Sequence, residues 1–367
     1  MRSKGKKIRF GVLSTARIGV KKVIPAMQKG EHMEVVAIAS RSAEKAREVA
    51  HYLGIARWHG SYEALLADPD VDAVYNPLPN DQHVLWSIRA LEAGKHVLCE
   101  KPIALSAAEG RVLVEATRRH HSLKVMEALM YRHHHQWRKA KELVESGQIG
   151  DLQAIQVFFT FYNDDPNNIR NNSLKGGGAL MDLGCYATSL SRWLFNAEPQ
   201  RVFGLLENDP RFGVDRLVSA ILDFGVGNAT FTCSTQVAPF QRAHMAGTEG
   251  HIELSQAAFN PPNDRPCVIR VMRGGKIEQL KLEVCDQYGI MADRFAEAIL
   301  NRAPVPVPLE DAVRNMEVID AIVASGFSGS WVRPGTAYLE PNLNREDRTG
   351  IQSSRDDLVL HSQVKAS

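Results

Sequence analysis

Two short stretches of this 367-residue chain gather proton-active side chains at spacings that bring them together. Glu100-Lys101-Pro102 directly follows the apolar run His96–Cys99. A lysine at a strand terminus polarises a substrate hydroxyl, although a surface ion pair is the plainer fate of a Glu-Lys dipeptide. In the stretch from Lys175 through Gly176-Gly177-Gly178 to Tyr186, Asp182 and Tyr186 stand four residues apart. That spacing puts a carboxylate and a phenol on one helical face, a pairing suited to proton transfer at a carbinol oxygen. The plainer alternative makes Tyr186 a core aromatic and Asp182 a capping residue.

A second set of residues points to phosphate recognition. The first apolar run, Ile8–Leu13, leads into Ser14-Thr15-Ala16-Arg17-Ile18-Gly19, with small residues at the three places where a dinucleotide fold usually has glycine. Small side chains there let the backbone approach a pyrophosphate at the next helix N-terminus. The second run ends Ile38-Ala39-Ser40-Arg41-Ser42, with no acidic residue to hold ribose hydroxyls. Arg41 instead offers a planar fork for a 2′-phosphate, with Ser40 and Lys45 beside it. The stretch Tyr75–His83, containing Pro77, Leu78 and Asn80, falls at another strand's carboxyl end, the edge where such sheets bind ligands.

Stepping from side chains to the elements that carry them, residues 1–128 alternate strand and helix. Strands are expected at Ile8–Leu13, Glu34–Ser40, Ala73–Tyr75, His96–Cys99 and Lys124–Glu127, with helices between them. This is the rhythm of parallel βαβ units in a doubly wound sheet. Residues 129–333 read differently: strands at Gln153–Tyr162, Arg201–Glu207, Arg216–Phe224, Ala229–Val237, Ile252–Leu254, Val268–Arg273 and Lys276–Glu283, mostly with short turns. An antiparallel or mixed sheet follows. Helices are expected at Arg138–Ser146, Ala179–Phe195, Gly289–Asn301 and Leu309–Ser325, and residues 334–367 read as a polar tail.

Composition narrows the classes of function. A net charge of +2 supports no nucleic-acid footprint, and no apolar stretch is long enough for a membrane span or a secretory signal. Five scattered cysteines suit a reduced cytoplasmic protein and give no zinc spacing. His133-His134-His135 invites a metal, but consecutive side chains diverge, so a role lining the cleft between domains is preferred and no metal is expected.

Taken in order, the Ser14–Gly19 loop, Pro79-Asn80 with His83, Gly94-Lys95-His96-Val97 running into Glu100-Lys101-Pro102, and Gly176–Gly178 with Asp182 and Tyr186 resemble the Gfo/Idh/MocA oxidoreductase superfamily. The nearest branch is that of glucose–fructose oxidoreductase, dihydrodiol dehydrogenase and NADP-dependent xylose dehydrogenase. The resemblance implies an α/β fold: a Rossmann domain, then an α/β domain with a large open, mainly antiparallel sheet that commonly mediates dimers or tetramers. It implies NADP as cofactor and a small sugar or polyol as substrate, with aldose C1 oxidation to lactone as the first choice. Lys101 is implied as the catalytic lysine, Tyr186 as the proton donor or acceptor, and Asp182 as a residue orienting substrate. Ser14, Thr15, Ala16, Arg17, Ile18, Ser40, Arg41, Lys45, Tyr62, Pro77, Leu78, Asn80, His83, Glu100, Lys101 and Arg170 are implied as cofactor residues. A redox-assisted glycosidase and a cofactor-sensing regulator are the rival functions, and the retained Lys101 and Tyr186 argue against the regulator.

Overall fold

The computed structural model describes residues 6–255 and 257–336. In the N-terminal part six strands form one parallel sheet: β1 (Ile8–Leu13), β2 (Met33–Ala39), β3 (Arg57–His59), β4 (Ala73–Asn76), β5 (His96–Cys99) and β6 (Val125–Glu127). Their order, β3-β2-β1-β4-β5-β6, is that of a Rossmann sheet. Strands β1, β4, β5 and β6 are short and almost wholly buried, as both faces of the sheet are covered by helices, while the edge strand β3 has no buried residue. Those helices are α1 (Ile24–Met27), reached through a π-helical turn at Gly19–Val23, α2 (Ala43–Leu53), α3 (Tyr62–Leu66), α4 (His83–Glu92) and α5 (Ala107–Arg119). Serines at 42, 61 and 106 cap α2, α3 and α5 by accepting a backbone N–H three residues on.

The second part begins with α6 (His135–Glu145) and β7 (Leu152–Tyr162). A π-helical turn, Leu180–Gly184, leads into α7 (Cys185–Phe195). Strands β8 (Arg201–Asn208), β9 (Asp215–Asp223), β10 (Asn228–Ser234), β11 (Gln236–Gly247), β12 (Gly250–Leu254), β13 (Val268–Arg273) and β14 (Lys276–Lys281) complete an eight-stranded sheet. All its pairings are antiparallel except that of β10 with β7. Helices α8 (Gln287–Leu300) and α9 (Leu309–Ser328) end the fold.

Register gives this sheet two unlike faces. The row Val202, Leu222, Ala229, Ile155, Met245, Ile252, Val271 crosses seven strands, and every member is buried. One residue along, the row Phe203, Ile221, Thr230, Gln156, His244, Glu253, Arg270, Gln279 crosses all eight strands, and none of its members is buried. A period of two allows no other outcome when helices cover only one face.

Two elements differ from expectation. The stretch Ala229–Val237, read as one strand, is the end of β10 and the start of β11. The remainder of β11, the longest strand, was not expected at all. Pro239 masks it in the sequence, sitting where the register with β7 shifts between Gln236 and Phe240. The short β3 was missed as well. Helix α8 also returns to the N-terminal sheet: Phe295 packs on Phe10 at 6.3 Å, and Asp293 accepts the His32 N–H at 2.8 Å. This return brings a second-part side chain, Tyr288, to the edge of the Rossmann sheet.

Candidate active site

At the end of β1 the backbone of Ser14 takes φ +119°, a region that normally demands glycine. Its hydroxyl accepts the Ala16 N–H at 3.2 Å. The first helical bond runs from Val20 N–H to the Ala16 carbonyl at 3.0 Å. Helical backbone then continues over residues 17–27. The N–H groups of Arg17, Ile18 and Gly19 therefore stand at the open helix end, the polarity a pyrophosphate requires. At the end of β2, Ser40 is buried, while Arg41 and Lys45 are exposed. Arg41 lies against the Tyr62 hydroxyl, and its charge opposes the upward pull of burial on that phenol. Tyr62 is fixed in turn by an edge-to-face contact with Trp86 at 4.9 Å. A fork held on a buried phenol and facing a cleft fits a phosphate monoester beside the dinucleotide's ribose.

At the carboxyl end of β5, Glu100 accepts the Tyr75 hydroxyl at 2.6 Å. Burial raises its carboxyl pKa. Lys101 reaches into the second part of the fold. Its Nζ donates to Asp182 Oδ1 at 2.9 Å and to the Asp182 carbonyl at 2.6 Å, and lies 4.7 Å from the centre of the Tyr186 ring. Arg170 Nε donates to the other Asp182 oxygen at 2.6 Å. Burial alone would raise the Asp182 pKa, but Arg170 and Lys101 outweigh it and hold the carboxyl well below its ordinary value. Burial works against the Lys101 charge too, and Asp182 restores it, leaving that pKa raised. An ammonium has three protons; Asp182 takes two, and one remains for a substrate oxygen. Burial pushes the Tyr186 phenol well above its usual value. Its hydroxyl donates to the Met130 thioether at 3.3 Å, a weak acceptor that leaves the proton available.

Local sequence explains how these side chains are aimed. The π-helical turn Leu180–Gly184 presents Asp182 and then Tyr186 to Lys101, in place of the regular helix expected over Ala179–Phe195. Asp215 holds the helix start by accepting the Leu180 N–H at 2.6 Å. Gly178 has φ +113°, and a Cβ there would collide with the Asp215 carboxylate. A Cβ on Gly177 would collide with the Arg170 carbonyl, the acceptor of the Gly178 N–H at 2.9 Å. The triple glycine thus lets protein approach protein, and it fixes the loop that carries Arg170.

Every catalytic and cofactor residue named from the sequence lines one cleft of about 1870 Å³ between the two sheets. Sequence reasoning missed Met130, Phe159, Phe161, Gln241, Asn260 and Tyr288, which line the same cleft. They come from distant segments and lie in no motif, so only the fold assembles them. His83 presents its ring nitrogens to two protein carbonyls, those of Pro102 at 2.7 Å and Leu78 at 2.8 Å. The triple histidine does not line this cleft, contrary to expectation. His133 is buried, His134 caps α6 by accepting the Gln136 N–H, and His133 and His135 border a separate groove of about 1000 Å³. Among the described residues no group of three His, Cys, Asp or Glu side chains is arranged to hold a metal, and no helix is long and apolar enough to cross a membrane.

A Rossmann sheet whose carboxyl edge faces a lysine, a buried carboxylate and a phenol defines an oxidoreductase that uses a nicotinamide dinucleotide. Residues 8–128 match the oxidoreductase family with NAD-binding Rossmann fold, and residues 137–253 match the GFO/IDH/MocA C-terminal domain. The chain belongs to this Gfo/Idh/MocA family. It is 38% identical over 325 residues to D-xylose 1-dehydrogenase (NADP(+)) 2 of Haloferax volcanii, covering 88% of this chain and 98% of that one. The structure of KijD10, a 3-ketoreductase from Actinomadura kijaniata in complex with NADP and TDP-benzene, superposes with a TM-score of 0.82 at 31% identity, covering 87% and 98%. Aldose-aldose oxidoreductase from Caulobacter crescentus superposes with a TM-score of 0.83 at 28% identity, covering 89% and 100%.

Proposed function

We propose that this protein is an NADP-dependent sugar oxidoreductase that oxidises the C1 hydroxyl of an aldose to the lactone. The observation that carries the reading is the Lys101–Asp182–Tyr186 cluster at the carboxyl edge of the Rossmann sheet, with Arg41 at the far end of the same cleft. Residues 14–18, with Ser40, Arg41 and Glu100, would hold NADP in this cleft, and the bound nicotinamide would supply the hydride acceptor for the sugar carbon. For oxidation Tyr186 must first have released its own proton to solvent. As the phenolate, which the Lys101 charge favours, it takes the hydroxyl proton while the third Lys101 proton holds the same oxygen. Asp182 keeps Lys101 charged and aimed, with Arg170 as its second cation. The substrate lobe supplies amides and aromatic faces, from Asn163, Gln241, Asn260, Phe161 and Tyr288, which suit an uncharged polyol. Likeness to the Haloferax enzyme supports NADP and an aldose. Likeness to aldose-aldose oxidoreductase supports a cycle in which NADP stays bound and a second sugar is reduced. The five unpaired cysteines are in keeping with a cytoplasmic enzyme, and the open face of the eight-stranded sheet is the proposed oligomer interface.

The test is absorbance near 340 nm on the purified protein, with a panel of aldoses, in the presence and absence of added NADP. Lys101→Met and Tyr186→Phe should bind NADP normally and lose about 10²–10⁴-fold in turnover, the usual worth of a positioned acid–base group. Near wild-type kcat in either variant would overturn the assigned roles. Lactone formation that stops without added NADP would leave the dehydrogenase standing and remove the two-sugar cycle.

A further inference from the structure

The loop that carries Lys101 is clamped by two buried ionisable side chains, His83 of α4 and Glu127 of β6. The peptide group between Pro102 and Ile103 is held at both ends: its carbonyl, that of Pro102, meets His83 Nδ1 at 2.7 Å. Its N–H, that of Ile103, donates to Glu127 Oε1 at 2.7 Å. His83 and Glu127 are each only 1% exposed. Pro102 has no N–H, and Ile103 is fully buried outside any strand, so without Glu127 its N–H would be stranded away from water.

Glu127 is an uneconomical residue for packing alone. Its second oxygen, Oε2, is buried and has no hydrogen-bond partner among the described residues. A hydrocarbon of similar volume would fill the space without the desolvation cost of a carboxyl. What a carboxyl adds is the acceptor for Ile103. We propose that Glu127 is a positioning residue for Lys101: by holding the Ile103 N–H it fixes the loop that directs Nζ between Asp182 and Tyr186. His83 completes the clamp with its ring between the Pro102 and Leu78 carbonyls. It donates to one of them as the neutral imidazole and to both only as the imidazolium, and so couples the loop after β5 to the loop after β4. This inference rests on the reading of Lys101 as the catalytic lysine.

The surroundings of Glu127 make its role visible to pH. Asp311 of α9, Arg132 of the turn before α6 and Arg192 of α7 are the charged groups that face it. Burial, with Asp311, pushes its carboxyl up to about 7 against the Ile103 N–H and the two arginines. Arg132 and Arg192 both pair with Asp311, at 3.0 and 3.1 Å, and neither makes an ion pair with Glu127. An ionised carboxylate accepts the Ile103 N–H more strongly than a neutral carboxyl does.

The experiment compares full-length Glu127→Gln, Glu127→Ala and Lys101→Met, with kcat normalised to bound NADP and followed from pH 5.5 to 9. Glu127→Ala should lose about tenfold or more in kcat, as misplacing a catalytic group costs, while NADP affinity stays within about twofold. Glu127→Gln keeps an acceptor for Ile103. It should recover most of kcat and lack the wild-type inflection near pH 7. Wild-type kcat in Glu127→Ala, with Lys101→Met inactive, would overturn the positioning role alone. So would a Glu127→Gln profile that keeps the inflection, and this arm decides the matter if Glu127→Ala does not fold. Turnover retained by Lys101→Met would instead overturn the catalytic reading on which the proposal stands.

Discussion

In the proposed reading, a single guanidinium chooses between two dinucleotides that differ by one phosphate. Arg41 follows the end of β2, where an acid would be needed to hold two free ribose hydroxyls, and its fork is set against Tyr62. Arg41→Ala should weaken NADP by about 1–3 kcal/mol, the worth of a charge-assisted hydrogen bond, and leave NAD nearly unchanged. Parallel titrations with both cofactors check this, and an equal loss for both would remove Arg41 from the phosphate site. Arg41 was legible because its meaning depends only on its place after a strand. Lys101 and Tyr186 were legible for the same reason, each within a short motif. The bond between Lys101 and Asp182 was not, since 81 residues separate them and nothing local records their meeting. The Met130 partner of Tyr186 was invisible for a like reason: a methionine before a turn reads as core until the fold aims it.

At the scale of elements, three histidines are held in a neutral form that acid must break, and one of them ties two strands together. His96 opens β5, and its Nδ1 accepts the Lys124 N–H at 2.9 Å, just before β6. Burial, with Lys124 adding to it, lowers its pKa to about 4. His133 and His134 are lowered to about 3 and about 4, again by burial first. The sign follows from linkage: below the ordinary value of 6.5 the unfolded chain takes up protons that the folded chain refuses. Stability should therefore fall as pH drops from about 6.5 toward 4, by on the order of 1 kcal/mol per such histidine at pH 5. Denaturation midpoints between pH 7.5 and 5 measure it. His96→Gln, which keeps an acceptor and loses the titration, should show a shallower acid slope, and an unchanged slope would acquit His96. Strands such as β5 were legible because a wholly buried parallel strand is a plain apolar run. β11 was not, since Pro239 breaks its pattern and alternate residues such as Arg242 and His244 face away from the core. The π-helical turn Leu180–Gly184 was equally hidden, since its contacts with Asp215 and Lys101 come from distant segments.

At the scale of the whole molecule, the eight-stranded sheet is a half-finished sandwich. Helices α6 to α9 follow or flank it on one side, and the buried row from Val202 to Val271 lies under them. The opposite row, from Phe203 to Gln279, has no layer over it among the described residues, and on the same face Leu205, Ile221 and Phe240 are 64%, 39% and 48% exposed. Eight strands about 4.8 Å apart span roughly 35 Å, broad enough for the 1,200–2,000 Å² of a standard stable interface. The row also mixes apolar side chains with Thr230, Gln156 and the pair Glu253–Arg270, so two copies related by a two-fold axis can meet without stranding a charge. A two-fold pairing of open faces leaves Lys101, Asp182 and Tyr186 free, as they lie on the helix-covered side, although Phe240 borders both the open face and the cleft. Thr230→Arg, near the middle of the row, sets like charges against each other across such an axis. The wild-type protein should run as a dimer or tetramer in light scattering at micromolar concentration, and Thr230→Arg as a smaller species that still binds NADP. A monomeric wild type, or an assembly that Thr230→Arg leaves intact, would send the interface elsewhere on the molecule.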